Sequence, residues 1–180
     1  QDAPTLLFFG FVRPYKGLDT LLEALALLEE EPHYQLVVAG EIWGDALEWV
    51  TLLEKLSLSG QVRLENRYIT EAEVAVYFAA ADLVVLPYRS ATGSGVIKMA
   101  HSHGRPVLVT RTGALPDAVD EGITGYVVPP EDPAALAQAI RTFFTTASRP
   151  AMEQAARSSA MPDDWQRLAQ AILNDARSTA

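Results

Sequence analysis

Six apolar runs of strand length, most of them separated by segments of helical periodicity, constrain this chain more than any other feature of it. The runs are TLLFFG (5–10), QLVVAG (35–40), QVRL (61–64), DLVVLP (82–87), PVLVT (106–110) and GYVVP (125–129). Between them, LDTLLEALALLEE (18–30) and ALEWVTLLEKLSL (46–58) repeat leucine at spacings of three and four, which marks one buried face of a helix. TEAEVAVYFAAA (70–81) opens with Thr70 and Glu73 at capping-box spacing, and PPEDPAALAQAIRTFF (129–144) offers Asp132 as N-cap with Pro133 in the first helical position. Two more helices are expected over 151–158 and 164–175, the last carrying Trp165, Leu168 and Ile172 on one stripe. Strand alternating with helix predicts an α/β fold, because parallel strands need crossover helices and burial on both faces makes them continuously apolar.

At 180 residues with 49% hydrophobic and 21% charged side chains, the chain is expected to form one domain over 1–180 with a sizeable core. Its formal charge of -9 opposes binding to nucleic acid or an anionic membrane, so an anionic ligand needs a local cationic patch. Cysteine is absent and the three histidines are scattered, which excludes disulfides and thiolate chemistry and predicts no metal site. His101 and His103, two apart, cannot share a helix face and are read as groups that pack or touch water, while Trp43, Trp49 and Trp165 are read as core or interface groups. No run reaches the ~20 apolar residues of a membrane-spanning helix, so the expected setting is soluble and intracellular. The chain opens on Gln1 and enters its first apolar run by Thr5, and is taken as a piece of something longer.

In a parallel sheet, ligands bind beyond the carboxyl ends of the strands. Three such ends are chemically suggestive, although a turn and a short helix account fully for the third, TRTGALPDAVDEGITG (110–125). GFVRPYKG (10–17) follows the first strand and carries Arg13 and Lys16 on a loop between Gly10 and Gly17; it is neither a Walker loop nor the dinucleotide fingerprint. Thr92, Gly93, Ser94 and Gly95 turn the chain from the fourth strand into a helix, where free N–H groups and the helix dipole suit a phosphate. Taken singly, these are solvated loop charges and a capped turn. Together, two cations facing a helix N-terminus, with no carboxylate from Ala91 to His103, make a pocket for a diphosphate.

The order GFVRPYKG, VVAG, TEAEVAVYFAAADLVVLPY, a small-residue turn, GRPVLVTRTGALPD and GITGYVVPPEDPAALAQAI resembles the carboxyl-terminal, donor-binding half of the group 1 (family 4) glycosyltransferases of the GT-B fold. The likeness covers nearly all of 5–144, although no single motif is decisive. It implies a Rossmann-like three-layer sandwich with a mostly parallel six-stranded sheet, one half of a GT-B fold. Such a half binds a nucleotide-diphosphate sugar, and the acceptor-binding amino-terminal domain is then absent from this chain. The implied reaction is glycosyl transfer of the hexosyltransferase type with retention, with no metal or other cofactor, in the cytoplasm, any peripheral membrane contact being made through the missing half. This fragment alone is expected to bind donor and to transfer little or nothing.

By position, the resemblance assigns the leaving diphosphate to Lys16, with Arg13 standing in for an arginine that Phe11 replaces. It assigns donor contacts to Gly10, to Asn66, Tyr68 and Ile69 along the base, to Thr92, Gly93, Ser94, Gly95 and Val96 at the distal phosphate and sugar, and to Lys98 at the ribose or a phosphate. Gly113 and Asp117 fall in the family's G-x-P-E segment. Two glutamates usual in the family are Ala91 and Met99 here. That departure keeps open a non-catalytic nucleotide-sugar-binding or regulatory module on the same fold. A nicotinamide or flavin enzyme is the weakest alternative, for want of the glycine fingerprint.

Overall fold

The structure is a computed structural model that describes residues 3–28, 33–145 and 149–160. Its strands are β1 (Thr5–Phe9), β2 (Gln35–Ala39), β3 (Val62–Glu65), β4 (Leu83–Leu86), β5 (Val107–Thr110) and β6 (Gly125–Val128). They form one sheet in the order β3-β2-β1-β4-β5-β6 with every pairing parallel. All six expected runs are strands, five of them trimmed by a residue or two, mostly at glycine or proline, and β3 shifted by one residue to end at Glu65. The predicted parallel α/β sandwich is therefore observed.

Alternation along each strand divides the core in two. Leu6, Phe8, Leu36, Val38, Leu83 and Val85 face α1 (Leu18–Ala26), α2 (Ala46–Lys55) and α5 (Pro133–Thr145). Leu7, Ala39, Val84, Leu86, Val107 and Val109 face α3 (Glu71–Ala80) and α4 (Gly95–Ser102) through Phe78, Ile97 and Ala100. A last described helix, α6 (Arg149–Ser159), packs against α4. The helix expected over 164–175, with Trp165, lies outside the described residues. Residue for residue, this two-sided burial is why period-2 patterning is weak in the strands and leucine-rich stripes are strong in the helices.

Local chemistry sets the helix starts. Asp45 Oδ1 accepts from Leu47 N–H at 2.8 Å, and Glu73 Oε2 accepts from Thr70 N–H at 3.0 Å as the capping box requires. Asp132 Oδ1 accepts from Ala135 N–H at 2.9 Å, just before Pro133. Asp132→Ala is expected to cost ~1 kcal/mol, read as a fall of roughly 2–4 °C in a thermal melt.

Strand order reverses between β1 and β4. There the ladder is short: β1 pairs with β2 along five residues, but with β4 only through Leu6–Leu83 and Leu7–Val84. Beyond those pairs the two strands diverge toward their carboxyl ends. A cleft opens at that divergence.

Candidate functional site

One wall of the cleft is a single turn after β1. Arg13, in extended conformation (φ -131°, ψ 153°), leads into a 3-10 turn over Pro14–Lys16, started by a proline whose fixed φ suits it. Gly17 then takes φ 66°, and a Cβ there would lie 2.1 Å from the Pro87 carbonyl oxygen, so the turn is pressed against the exit of β4. This packing buries Lys16, which is only 8% exposed. Its Nζ sits 5.4 Å from the centre of the Tyr88 ring, and a Cβ on Gly10 would come within 3.0 Å of it. Burial, and next the positive charge of Arg13, lower the Lys16 pKa to about 8. Among the described residues no carboxylate forms an ion pair with Lys16 or Arg13.

The opposite wall is the corner from β4 into α4. Ser94 is the N-cap, its Oγ accepting from Val96 N–H at 3.2 Å, so the amino end of α4 opens toward the turn. Tyr88 lies behind it. Burial pushes its phenol up to about 12, partly offset by a hydrogen bond with the Ser94 side chain, so it stays a neutral hydroxyl at working pH. Thr110 and Thr112 both donate to the Tyr88 carbonyl, the second at 3.1 Å, and hold the corner on β5. Gly113 (φ 52°) presses the loop after β5 onto the corner: a Cβ there would meet the Ala91 carbonyl oxygen at 1.7 Å.

These walls enclose about 660 Å³, lined by Tyr15 and Lys16 on one side and by Tyr88, residues 90–96 and Met99 on the other. None of the lining residues is acidic. The cation and the small-residue corner singled out from sequence thus share one cleft. Thr92, Gly93, Ser94, Gly95 and Val96 all line it.

Other expected residues lie elsewhere. The Arg13 guanidinium stacks 3.7 Å above the Trp43 ring, with Phe11 at 5.8 Å, rather than lining the cleft. Trp43 is no core residue, being 57% exposed, whereas Trp49 packs against the core. Asn66 Oδ1 accepts from Ile42 N–H at 2.8 Å and ties the loop after β3 to that after β2; Tyr68 is exposed and Ile69 buried beside it. Lys98 points outward from α4 while Met99 faces the cleft. His101 is buried with Nδ1 3.1 Å from Ser159 Oγ, its pKa lowered by burial, and His103 stacks on Phe78 at 5.3 Å, so both are packing groups. Asp117 lies in the 3-10 turn Pro116–Ala118. Tyr15 and Tyr88 were not singled out from sequence, and Met99 was named there only as the replacement of a family glutamate. Tyr88 carried a readable signal, since it stands two residues beyond the last residue of β4, at the ligand end of the sheet. Among the described residues no three His, Asp or Glu side chains gather to hold a metal, and no helix is long and apolar enough to cross a membrane.

An open parallel sheet whose order reverses at a cleft beyond its carboxyl ends is a Rossmann-like ligand-binding domain. Residues 3–146 match the family described as glycosyl transferases, group 1. The chain belongs to that family, and its fold is that of the carboxyl-terminal half of a GT-B enzyme. It is 33% identical over 181 residues to the D-inositol 3-phosphate glycosyltransferase of Geodermatophilus obscurus, covering 96% of this chain and 40% of the relative. Sucrose-phosphate synthase from Thermosynechococcus elongatus superposes with a TM-score of 0.82 at 26% identity, over 99% of this chain and 46% of that one. The C-terminal domain of LpcC, a group 1 glycosyl transferase family protein from Francisella tularensis, superposes with a TM-score of 0.79 at 21% identity, over 89% and 85%, a likeness of fold alone. The chain therefore spans less than half the length of the relatives named in full.

Proposed function

We propose that this chain is the donor-binding half of a glycosyltransferase and holds a nucleotide-diphosphate sugar, with the diphosphate between Lys16 and the amino end of α4. One observation carries the reading: Lys16, the only cation among the described residues lining the cleft, and the amino end of α4, capped by Ser94 at Val96 N–H, face each other across a cleft without a carboxylate. The relatives' names support the same class of reaction. When the bond between the sugar's anomeric carbon and the phosphate oxygen breaks, its electron pair goes to the diphosphate. Lys16 and the N–H groups of α4 then face a charge larger than in the bound donor, which is where preorganised donors lower a barrier. The new bond joins the same carbon to an acceptor oxygen, whose proton must be taken by a base outside this cleft. Retention and independence from metal belong to the proposal, as does the base lying along Asn66, Tyr68 and Ile69. With Ala91 and Met99 as apolar wall, no carboxylate supports the sugar, which is the observation favouring a binding module without catalysis. Sugar transfer by the complete protein to any acceptor excludes that alternative.

Calorimetry with UDP, GDP and their sugars tests the reading. Lys16→Ala with Arg13→Ala is expected to weaken nucleoside diphosphate binding by ~1.5–3 kcal/mol or more, the worth of a charged hydrogen bond, with Lys16 supplying that bond and Arg13, stacked on Trp43, only its longer-range charge. Unchanged affinity in the double variant removes the proposal. Because only the ammonium form attracts a diphosphate, wild-type affinity is expected to fall as pH rises through about 8, the Lys16 pKa.

A further inference from the structure

Arg89 is a third cation beside the cleft, and its surroundings give it a different task. Its backbone N–H donates to the Tyr15 carbonyl at 2.7 Å and its Nη1 to the Pro14 carbonyl at 2.9 Å. Nη2 donates to Asp19 Oδ2 at 2.5 Å, at the start of α1, and Nε lies 3.2 Å from Glu131 Oε1. Two carboxylates thus neutralise Arg89, which raises its pKa, chiefly through the Asp19 hydrogen bond, whereas Lys16 has none. An arginine matched in this way has little left for a ligand. Its backbone N–H and Nη1 are instead spent on the turn that carries Lys16.

The sheet explains why such a clip is needed. The β1–β4 ladder ends at Leu7–Val84, so no strand pairing links the carboxyl end of β1 to that of β4. The Pro14–Lys16 turn and the corner at 90–96 sit beyond that end, on opposite sides of the divergence. Arg89 spans the gap at two successive carbonyls, while the close approach of Gly17 to Pro87 leaves the seam no slack. We propose that Arg89 is a positioning residue: by fastening the Pro14–Lys16 turn to the β4–α4 corner, it fixes the reach of Lys16 into the cleft. The groups facing Lys16 are Arg13 from its own turn and Tyr88 from the corner, and the Arg89 side chain hydrogen-bonds and ion-pairs with Pro14, Asp19 and Glu131 rather than with the side chain of either.

The test reads Lys16 directly, by NMR titration of 13Cε-labelled lysine in the 180-residue chain with no ligand present. Arg89→Met is expected to let water reach the ammonium and to move its midpoint up from about 8 by a unit or more. Arg89→Lys keeps the charge and the backbone bond to Tyr15, but its single ammonium lacks the planar fork that holds the Pro14 carbonyl and the Asp19 carboxylate together, and is expected to move it in the same direction by a smaller amount. In parallel, inorganic pyrophosphate should bind Arg89→Met about tenfold more weakly than wild type, but Lys16→Met with and without Arg89→Met equally. An unmoved midpoint in Arg89→Met, or one fully restored by Arg89→Lys, overturns the proposal, as do losses that multiply in the double variant, which would place Arg89 on the ligand. Should Arg89→Met fail to fold, Asp19→Asn decides, with a smaller rise expected and an unmoved midpoint overturning. The affinity arm rests on the donor-binding reading; the titration does not, so wild type that ignores diphosphates sinks that reading and leaves this one standing.

Discussion

Lys16→Met is expected to make the fold more stable and its binding of a diphosphate much weaker. The Lys16 ammonium is held at about 8 against an ordinary 10.5, chiefly by burial. A lysine whose folded pKa is depressed binds its proton less tightly than in the unfolded chain. It therefore destabilises the fold below pH 8, and the penalty is relieved as pH rises from about 8 to 10.5. On linkage grounds the cost at pH 7 is on the order of 2–3 kcal/mol. Methionine fills similar volume without charge, so the variant should melt roughly 5 °C higher at pH 7. Between pH 8 and 10.5 the wild type should gain on it. Denaturant melts of both across that range decide the matter, and a variant less stable than wild type at pH 7 would mean that Lys16 is compensated by its neighbours. Stability given up at one buried cation without an acid partner is what a preorganised anion site requires.

How much of this could be read from the sequence depended on what each residue type constrains. The strands were legible because double burial leaves uninterrupted Val, Leu and Phe runs, and the caps at Thr70 and Asp132 because few residues accept from free N–H groups there. Helix ends were less so: periodicity carries α2 through 58, yet it stops at Lys55 and Ser57 turns into left-handed conformation. At the site, cations three apart on a glycine-bounded loop suggested joint action. The turn separates them, because Arg13 is extended and Lys16 ends a 3-10 turn, which sends one to Trp43 and the other into the cleft. Lys98 and Met99 differ only in phase on a helix of eight residues, too short for a pattern to decide which faces inward. Arg89 gave no signal, since nothing in sequence reveals that β1 and β4 part after two pairs.

Gly113→Ala is expected to damage both the fold and the cleft, and Gly93→Ala to leave the fold intact. Gly113 holds φ 52°, which costs a side chain about 1–2 kcal/mol. A Cβ would also lie 1.7 Å from the Ala91 carbonyl oxygen, a backbone atom with no rotamer to escape by. The loop after β5 must then retreat from the corner, and the corner is the cleft wall. The expected loss is at least 2 kcal/mol, in the range of mutations that strain a special backbone position, with tenfold or weaker binding of nucleoside diphosphate. A Cβ on Gly93 meets no atom within 4 Å and needs no unusual φ. That open space is part of the cleft. Gly93→Ala should therefore melt within ~0.5 kcal/mol of wild type, and any affinity it loses reports the ligand's own volume. Thermal melts and calorimetry on the pair separate a glycine that shapes the wall from one that leaves room for what it holds, and equal melting of the two variants would contradict the close approach at Ala91.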